Sequence, residues 1–326
     1  MEDYLLPENE NRRIFHQEIV PDKMWGLQAQ DKPVVVFLVG QPGAGKSRVT
    51  AMVATVLNAR GGFVDIDSDL YKPYHPAYDT LMAEDDKLMA AFTRADGRAW
   101  MAQAHQYVRE HKLNAVIQET SQNAQAVADT MTAYRQAGFR VEVLAMGVAK
   151  ALSDQGIVAR YHEQVKDRGS GRLTVQKNAD ESYRGILALA RLVDRDRLAD
   201  QVGVFRRGEG TARYTNELNE AGQWRRPAEL AAALETERSR PLSETEARDF
   251  LRTQGQLRRE MGPEWAPVLS RIDRLAAPQV QGTATYAYWI VTQGMGGVRD
   301  PMQPNLSTAP PEAPRSRQAA PRGVER

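Results

Sequence analysis

The chain has 326 residues, with 43 Lys+Arg against 42 Asp+Glu, a formal net charge of +1 and no cysteine. The near-neutral balance argues against a dedicated nucleic-acid binder, which carries a strong basic excess. The absence of cysteine excludes a disulfide scaffold, a thiolate metal site and a thiol nucleophile. No run reaches the ~18–20 apolar residues that span a bilayer, and the acidic, polar start lacks a signal pattern; a soluble, cytoplasmic protein is expected.

The first thirty residues read as one or two short helices. Val34 to Val39 is a continuous β-branched and apolar run, the pattern of a strand buried on both faces of a parallel sheet. A glycine-rich turn leads into a helix over Ser47–Asn58, striped by Met52, Val53, Val56 and Leu57. Alternation continues: a strand over Gly62–Asp67, a helix over Glu84–His111, a strand at Ala115–Ile117, a helix over Asn123–Gln136 closed by Gly138, and a strand over Val141–Met146. Helices follow over Lys150–Val165 and Ala179–Leu198, then a hairpin from Val202–Arg206 and Ala212–Glu217 around Gly208-Glu209-Gly210.

This pattern predicts a P-loop-type α/β fold: a mostly parallel sheet flanked by helices, occupying residues 1–226. Residues 227–299 read as a helical extension, with Ser243 and Glu246 spaced as a capping box. Residues 300–326 carry six of the 17 prolines and read as a disordered tail.

Gly40-Gln41-Pro42-Gly43-Ala44-Gly45-Lys46-Ser47 fits G-x-x-x-x-G-K-[ST] in full. Glycines let backbone N–H groups curl around phosphate oxygens, and the helix beginning at Lys46–Ser47 adds donors and a favourable dipole. Lys46 is expected at the β/γ-phosphates of ATP and Ser47 on its Mg²⁺. An ordinary Gly-Pro turn would explain the glycines but not the buried strand before them and the amphipathic helix after them. Asp65, Asp67 and Asp69 fall at period two along and beyond the second strand. Asp67, at the strand's end, is the choice for the group that takes a hydroxyl proton or helps hold the metal. Asp69 caps the following turn in the alternative reading, and all three as turn-forming surface carboxylates is the bland one.

The run from Val64 through Asp67, Asp69, Tyr71 and His75-Pro76 to Tyr78, about twenty residues after the phosphate loop, resembles the zeta toxin family of P-loop kinases, with its I-D-x-D-x-[FY] and H-P-x-[FY] motifs. The resemblance runs from about Val34 to Arg213. It implies ATP-dependent phosphorylation of UDP-N-acetylglucosamine at a sugar hydroxyl, and an antitoxin protein as partner. It matches Lys46 to the family's phosphate-loop lysine, Asp67 to its catalytic base, and Arg160 and Arg172 to its two catalytic arginines. As bland alternatives, Arg160 lies on a solvated helix face and Arg172 is a loop charge.

The third strand departs from the family pattern. Gln118 stands where an acidic residue is usual and Gln122 near the place of an arginine, while Thr120 is retained; these three are the expected acceptor contacts. Alternation puts Glu119 on the face opposite Gln118. Two neutral amides weaken the sugar-nucleotide expectation more than the kinase expectation, leaving NAD, another nucleotide or an antibiotic open as acceptor. A non-catalytic, nucleotide-gated binding module is the rival from another class. Of the remaining features, His75 and Tyr71, Tyr74 and Tyr78 line a pocket or pack a loop. His105, His111 and His162 read as surface residues, as do the basic pairs Arg206-Arg207, Arg225-Arg226 and Arg258-Arg259; Trp265 and Trp289 read as packing anchors.

Overall fold

The computed structural model describes residues 4–84, 89, 92–169 and 171–286. Trp289, the expected tail at 300–326 and part of the expected Glu84–His111 helix lie outside the described residues. The chain begins with α1 (Glu8–Ile14), which runs through a π-helical turn at Phe15–Ile19 into a last helical turn at Val20–Lys23. Then come β1 (Val34–Val39), α2 (Ser47–Asn58) and β2 (Val64–Ile66). Short helical turns at Ser68–Tyr71 and Lys72–Tyr74 precede α3 (Tyr78–Glu84) and α4 (Arg94–His111).

Next are β3 (Ala115–Glu119), α5 (Ala124–Gln136), β4 (Arg140–Met146), α6 (Lys150–Arg168) and α7 (Gln176–Asp196). The hairpin β5 (Gln201–Phe205) and β6 (Ala212–Glu217) follows, then α8 (Leu230–Ser239), α9 (Glu244–Glu260) and α10 (Ala266–Val280).

The six strands form one sheet in the order β2-β3-β1-β4-β5-β6. β1 is central, parallel to β3 and β4; β2 and β5 are also parallel, and β6 alone is antiparallel. All six residues of β1 are buried, as its unbroken apolar run requires. Val35, Phe37, Val64, Ile66, Ala115 and Ile117 pack on one side with residues of α1, α4, α5, α7 and α8. Leu38 and Met146 on the other side join Val49 of α2, α6 and the C-terminal helices.

The expected capping box is formed: the Ser243 hydroxyl accepts from the Glu246 N–H, and the Glu246 carboxylate accepts from the Ser243 N–H. The C-terminal helices are packed into the sheet's flank by polar as well as apolar contacts. Buried Gln155 of α6 donates to the Phe250 carbonyl at 2.8 Å and to Gln254 Oε1 at 2.9 Å, and Arg271 of α10 reaches the buried Asp154 carboxylate at 2.8 Å. Trp265 is half-buried against this cluster and packs on Tyr161 with ring centroids 5.3 Å apart.

Candidate active site

The phosphate loop joins β1 to α2. Gly43 and Gly45 take the left-handed conformation, at φ +75° and +79°. A Cβ on Gly43 would stand 2.1 Å from the Ser153 carbonyl oxygen, and one on Gly156 2.7 Å from the Gly43 oxygen, so the loop lies directly on α6 with no room for a side chain. Buried Gln41 ties the loop further: its Nε2 donates to the Val148 carbonyl (3.0 Å) and Ser153 Oγ (2.7 Å). Its Oε1 accepts from Arg238 of α8 at 3.3 Å. Lys46 Nζ donates to the Gly40 carbonyl at 2.9 Å, and Ser47 is exposed at the first position of α2.

These features fit a nucleotide polyphosphate: a nest with left-handed glycines, a helix N-terminus and a lysine folded back over the loop. Among the described residues no group of three or more His, Asp or Glu is arranged to hold a metal ion by itself. Ser47, exposed at the first turn of α2, would offer its hydroxyl to a Mg²⁺ carried in with a nucleotide.

β2 lies beside β3, which lies beside β1, and all three run parallel, so their C-terminal ends lie along one edge of the sheet. Asp67 follows β2 and caps the turn Ser68–Tyr71, its Oδ1 accepting the Asp69 N–H at 2.9 Å. The cap belongs to Asp67, then, and not to Asp69, because the hydrogen-bonded N–H lies two residues on from the capping side chain. Burial raises the Asp67 carboxyl above the ordinary carboxylate range, the neighbouring Asp69 charge adds to this, and the Lys46 ammonium opposes it. Burial pushes the Lys46 amine down, with Asp67 and Glu119 as the carboxylates that counter it. Asp65 is also raised by burial, and its carboxylate faces Gln118 Nε2 at 3.4 Å.

Glu119 is coupled electrostatically to this group. It is the last strand residue, and Ser121 just beyond takes φ +53°. The Glu119 carboxylate accepts the Ser121 and Thr120 N–H groups and faces Asp67 and Lys46 electrostatically, while burial raises its pKa. Thr120 is half-buried and Gln122 exposed in the same loop. The loop is held by α7: a Cβ on Gly185 would stand 1.9 Å from the Ser121 carbonyl oxygen.

The arginines come from α6 and the segment after it. Gly169 ends α6 at φ +75°, and the chain folds back so that the Arg172 N–H donates to Gln164 at 2.9 Å. Arg172 Nη1 lies 2.6 Å from Asp69 Oδ2, and Lys72 Nζ 2.7 Å from Asp69 Oδ1. Burial alone would raise Asp69, but these two cations hold its carboxyl at about 2. Arg160 donates to Thr174 Oγ1 at 3.4 Å, and the charges it feels are Arg172 and Asp69. Electrostatic and hydrogen-bond links thus connect Lys46, Asp67, Asp69, Glu119, Arg160 and Arg172, with Gln118 on the neighbouring Asp65.

Other expectations change. His75 is buried and packs the turn after β2: Nδ1 accepts the Ala77 N–H, and Nε2 faces the Tyr4 carbonyl at 3.0 Å and Asp96 at 3.4 Å. His105 is no surface residue; it meets the Tyr134 hydroxyl at 3.0 Å, and burial lowers its pKa to about 4. His162 is paired with Glu260 at 2.8 Å. Arg206 is buried and Arg207 half-buried, so that pair is not a solvated face; its partners come from α6 and from helices 31 and 40 residues further on.

A Gly-x-x-x-x-Gly-Lys-Ser loop between a central parallel strand and a helix N-terminus defines a nucleotide-binding protein of the P-loop kinase-like fold. The Zeta toxin family profile matches residues 18–219, more than half of the sequence, and the chain belongs to that family. It is 23% identical over 192 residues to the toxin zeta of Enterococcus hirae, covering 59% of this chain and 66% of that protein. Matches to the Streptococcus agalactiae and Streptococcus pyogenes zeta toxins are shorter, so the chain spans about half to two thirds of the length of these curated relatives.

Among solved structures, it is similar to one from the PezAT toxin–antitoxin system of Streptococcus pneumoniae, with a TM-score of 0.66 at 18% identity over 79% of this chain and 98% of that one. The AvrRxo1-ORF1:-ORF2 complex with ATP gives a TM-score of 0.50 at 14% identity, over 82% and 90% of the two chains. At these identities the likeness is one of fold. No helix among the described residues is long and apolar enough to cross a membrane.

Proposed function

We propose that this chain is a kinase that transfers the γ-phosphate of ATP to a hydroxyl of a small acceptor, as the toxin of a toxin–antitoxin pair. The observation that carries the reading is the electrostatic coupling of Lys46, just after β1, to the Asp67 carboxylate at the end of β2, with β3 between the two strands. Family membership and the ATP named in the complex with AvrRxo1-ORF1 support it.

In this mechanism the loop 40–47 and Lys46 hold the donor's phosphates. Asp67, its proton affinity raised by burial, accepts the acceptor hydroxyl's proton as that oxygen bonds the γ-phosphorus and the β–γ bridging oxygen leaves with ADP. Arg160 and Arg172 face the transferring group and stabilise charge that grows on its oxygens. A Mg²⁺ bound at Ser47 would neutralise β/γ-phosphate charge. Most of the work is alignment and electrostatics.

The acceptor pocket lies between β2 and β3, with Gln118, Thr120 and Gln122 as contacts. UDP-N-acetylglucosamine is the first acceptor to test, on the family resemblance. A second reading, with NAD or another nucleotide as acceptor, rests on Gln118, a neutral amide facing Asp65 at 3.4 Å where the resembling family carries an acidic residue. Residues 1–226 form the kinase unit in this proposal, with 227–299 as a helical extension and 300–326 as a tail, acting in the cytoplasm. An antitoxin is the expected protein partner, since PezAT is a toxin–antitoxin system and AvrRxo1-ORF1 forms a complex with AvrRxo1-ORF2.

The test is incubation with radiolabelled ATP and a panel holding UDP-N-acetylglucosamine, NAD and aminoglycosides. Transfer to one acceptor, lost in Lys46→Ala, is expected. ATP binding with no labelled product from any acceptor or from whole-cell metabolite extract would leave a nucleotide-gated binding module instead.

A further inference from the structure

Arg206 and Arg207 are adjacent in sequence, yet the fold treats their charges in opposite ways. Arg206 is neutralised: Glu246 of α9 takes its Nε at 2.5 Å and its Nη2 at 2.8 Å, and Glu237 of α8 lies 3.3 Å from its Nη1. Arg207 turns instead to the phosphate loop. Its Cγ and Nε lie 3.1 and 3.2 Å from where a Cβ on Gly45 would stand. Its Nη2 is 2.8 Å from the corresponding point on Gly156, and Nη1 donates to the Leu152 carbonyl at 2.8 Å.

Among the described residues no carboxylate pairs with Arg207, and burial is the sole influence on its pKa, downward. A half-buried guanidinium with no anion beside it carries part of the cost of leaving water, and such groups are ordinarily paired or hydrogen-bonded to a charged partner. Folding retains this cost at one place, between α6 and a loop whose ligand class is a polyanion. The nearby acidic groups are already committed, Glu237 and Glu246 to Arg206 and Asp154 to Lys150 and Arg271.

We propose that Arg207 is a further nucleotide-binding residue, whose missing counter-ion is the polyphosphate of the bound nucleotide. It acts from beside Gly45 as a fixed positive charge at short range. The proposal rests on the nucleotide-binding half of the function proposed above and adds to it a determinant outside the motif 40–47. Neighbouring charges at such range act strongly where water is excluded. Removing this one should therefore weaken a ligand in proportion to its phosphate charge.

The experiment uses the full chain and competition of ATP, ADP, AMP and adenosine against a fluorescent ADP analogue, at several salt concentrations. Arg207→Met removes charge and keeps bulk; Arg207→Lys keeps charge. For Arg207→Met we expect ATP affinity to fall about tenfold, ADP affinity less, and adenosine affinity not at all, with a shallower salt dependence than wild type. Arg207→Lys should retain most of the affinity. The melting temperature of nucleotide-free Arg207→Met should equal or exceed that of wild type, since an uncompensated charge has been removed; a merely structural arginine would give a lower one.

Unchanged ATP affinity in Arg207→Met, or an equal loss for adenosine, overturns the proposal while leaving the nucleotide site intact. A wild-type protein that binds none of these ligands overturns the functional reading itself. If Arg207→Met shows no cooperative unfolding, Arg207→Gln and Arg207→Lys carry the comparison, and equal ATP affinity in those two overturns the assignment.

Discussion

Gly43 is one of the unspecified positions of the phosphate-loop motif, yet its surroundings forbid any other residue. Its φ of +75° would strain an L-residue by roughly 1–2 kcal/mol. A methyl group there would also meet the Ser153 carbonyl oxygen at 2.1 Å and the Ile157 nitrogen at 2.9 Å, both backbone atoms of α6 that cannot rotate aside. Relief requires the loop to lift from α6, which stretches the Gln41 bonds to Val148 and Ser153. Gly138 is the control, since its φ is +82° but a Cβ there would meet nothing within 4 Å.

Gly138→Ala should cost the backbone strain alone. Gly43→Ala should cost more, about 2 kcal/mol or above, and because the strain falls on the phosphate nest it should appear as a loss of ATP affinity of about thirtyfold. Thermal unfolding and nucleotide titration on the two variants separate these effects. Wild-type ATP affinity in Gly43→Ala, with a melting temperature no lower than that of Gly138→Ala, would refute the close contact between loop and α6.

The other predictions concern the cleft. Asp67→Asn should abolish transfer while leaving ATP binding within a few-fold. Because burial raises the Asp67 pKa in the folded state, the folded protein binds that proton more tightly than the unfolded chain; ionised Asp67 thus opposes folding above the raised pKa, and Asp67→Asn should melt at or above the wild-type temperature at neutral pH. For the same reason the acid limb of kcat/KM in the wild type should sit above the ordinary carboxylate range. Asp69→Asn removes the partner that holds Arg172 at 2.6 Å; kcat should fall more than tenfold with ATP affinity little changed, and an unaltered kcat would show that the ion pair has no part in placing Arg172. Gly185→Ala should push α7 away from the Ser121 carbonyl and raise the KM for the acceptor more than that for ATP.

The frame of the molecule was legible because it depends on short-range pattern. An apolar run such as Val34–Val39 has one stable home, the middle of a parallel sheet, and the glycine turn after it sits where the strand must meet a helix. Asp67 could be chosen by the same reasoning, as the carboxylate at a strand end. The coupling of Glu119 to Lys46 and Asp67 was not legible, because alternation assigns a side chain to a strand face and says nothing of the charges that the fold brings near the end of β3. Lone arginines are opaque for a different reason. Whether Arg206 is solvated or buried is decided by Glu237 and Glu246, 31 and 40 residues away, and no local pattern contains them.

The same distance in sequence bears on the C-terminal helices, which read as an appendage and pack as part of the nucleotide site's support. Arg238 of α8 lies 3.8 Å from the Tyr183 ring centroid and donates to the Tyr183 carbonyl at 2.7 Å. Its Nη2 reaches Gln41 at 3.3 Å, and Gln41 in turn holds the loop to Ser153. A hydrogen-bond chain therefore runs from a helix beyond the family match at residue 219, through one side chain of the motif, to the helix that bears Arg160. Each member is buried, so an unmatched one costs more than its bond contributes. Shifting α8 would therefore disturb the phosphate loop and α6 together, because Gln41 is bonded to both.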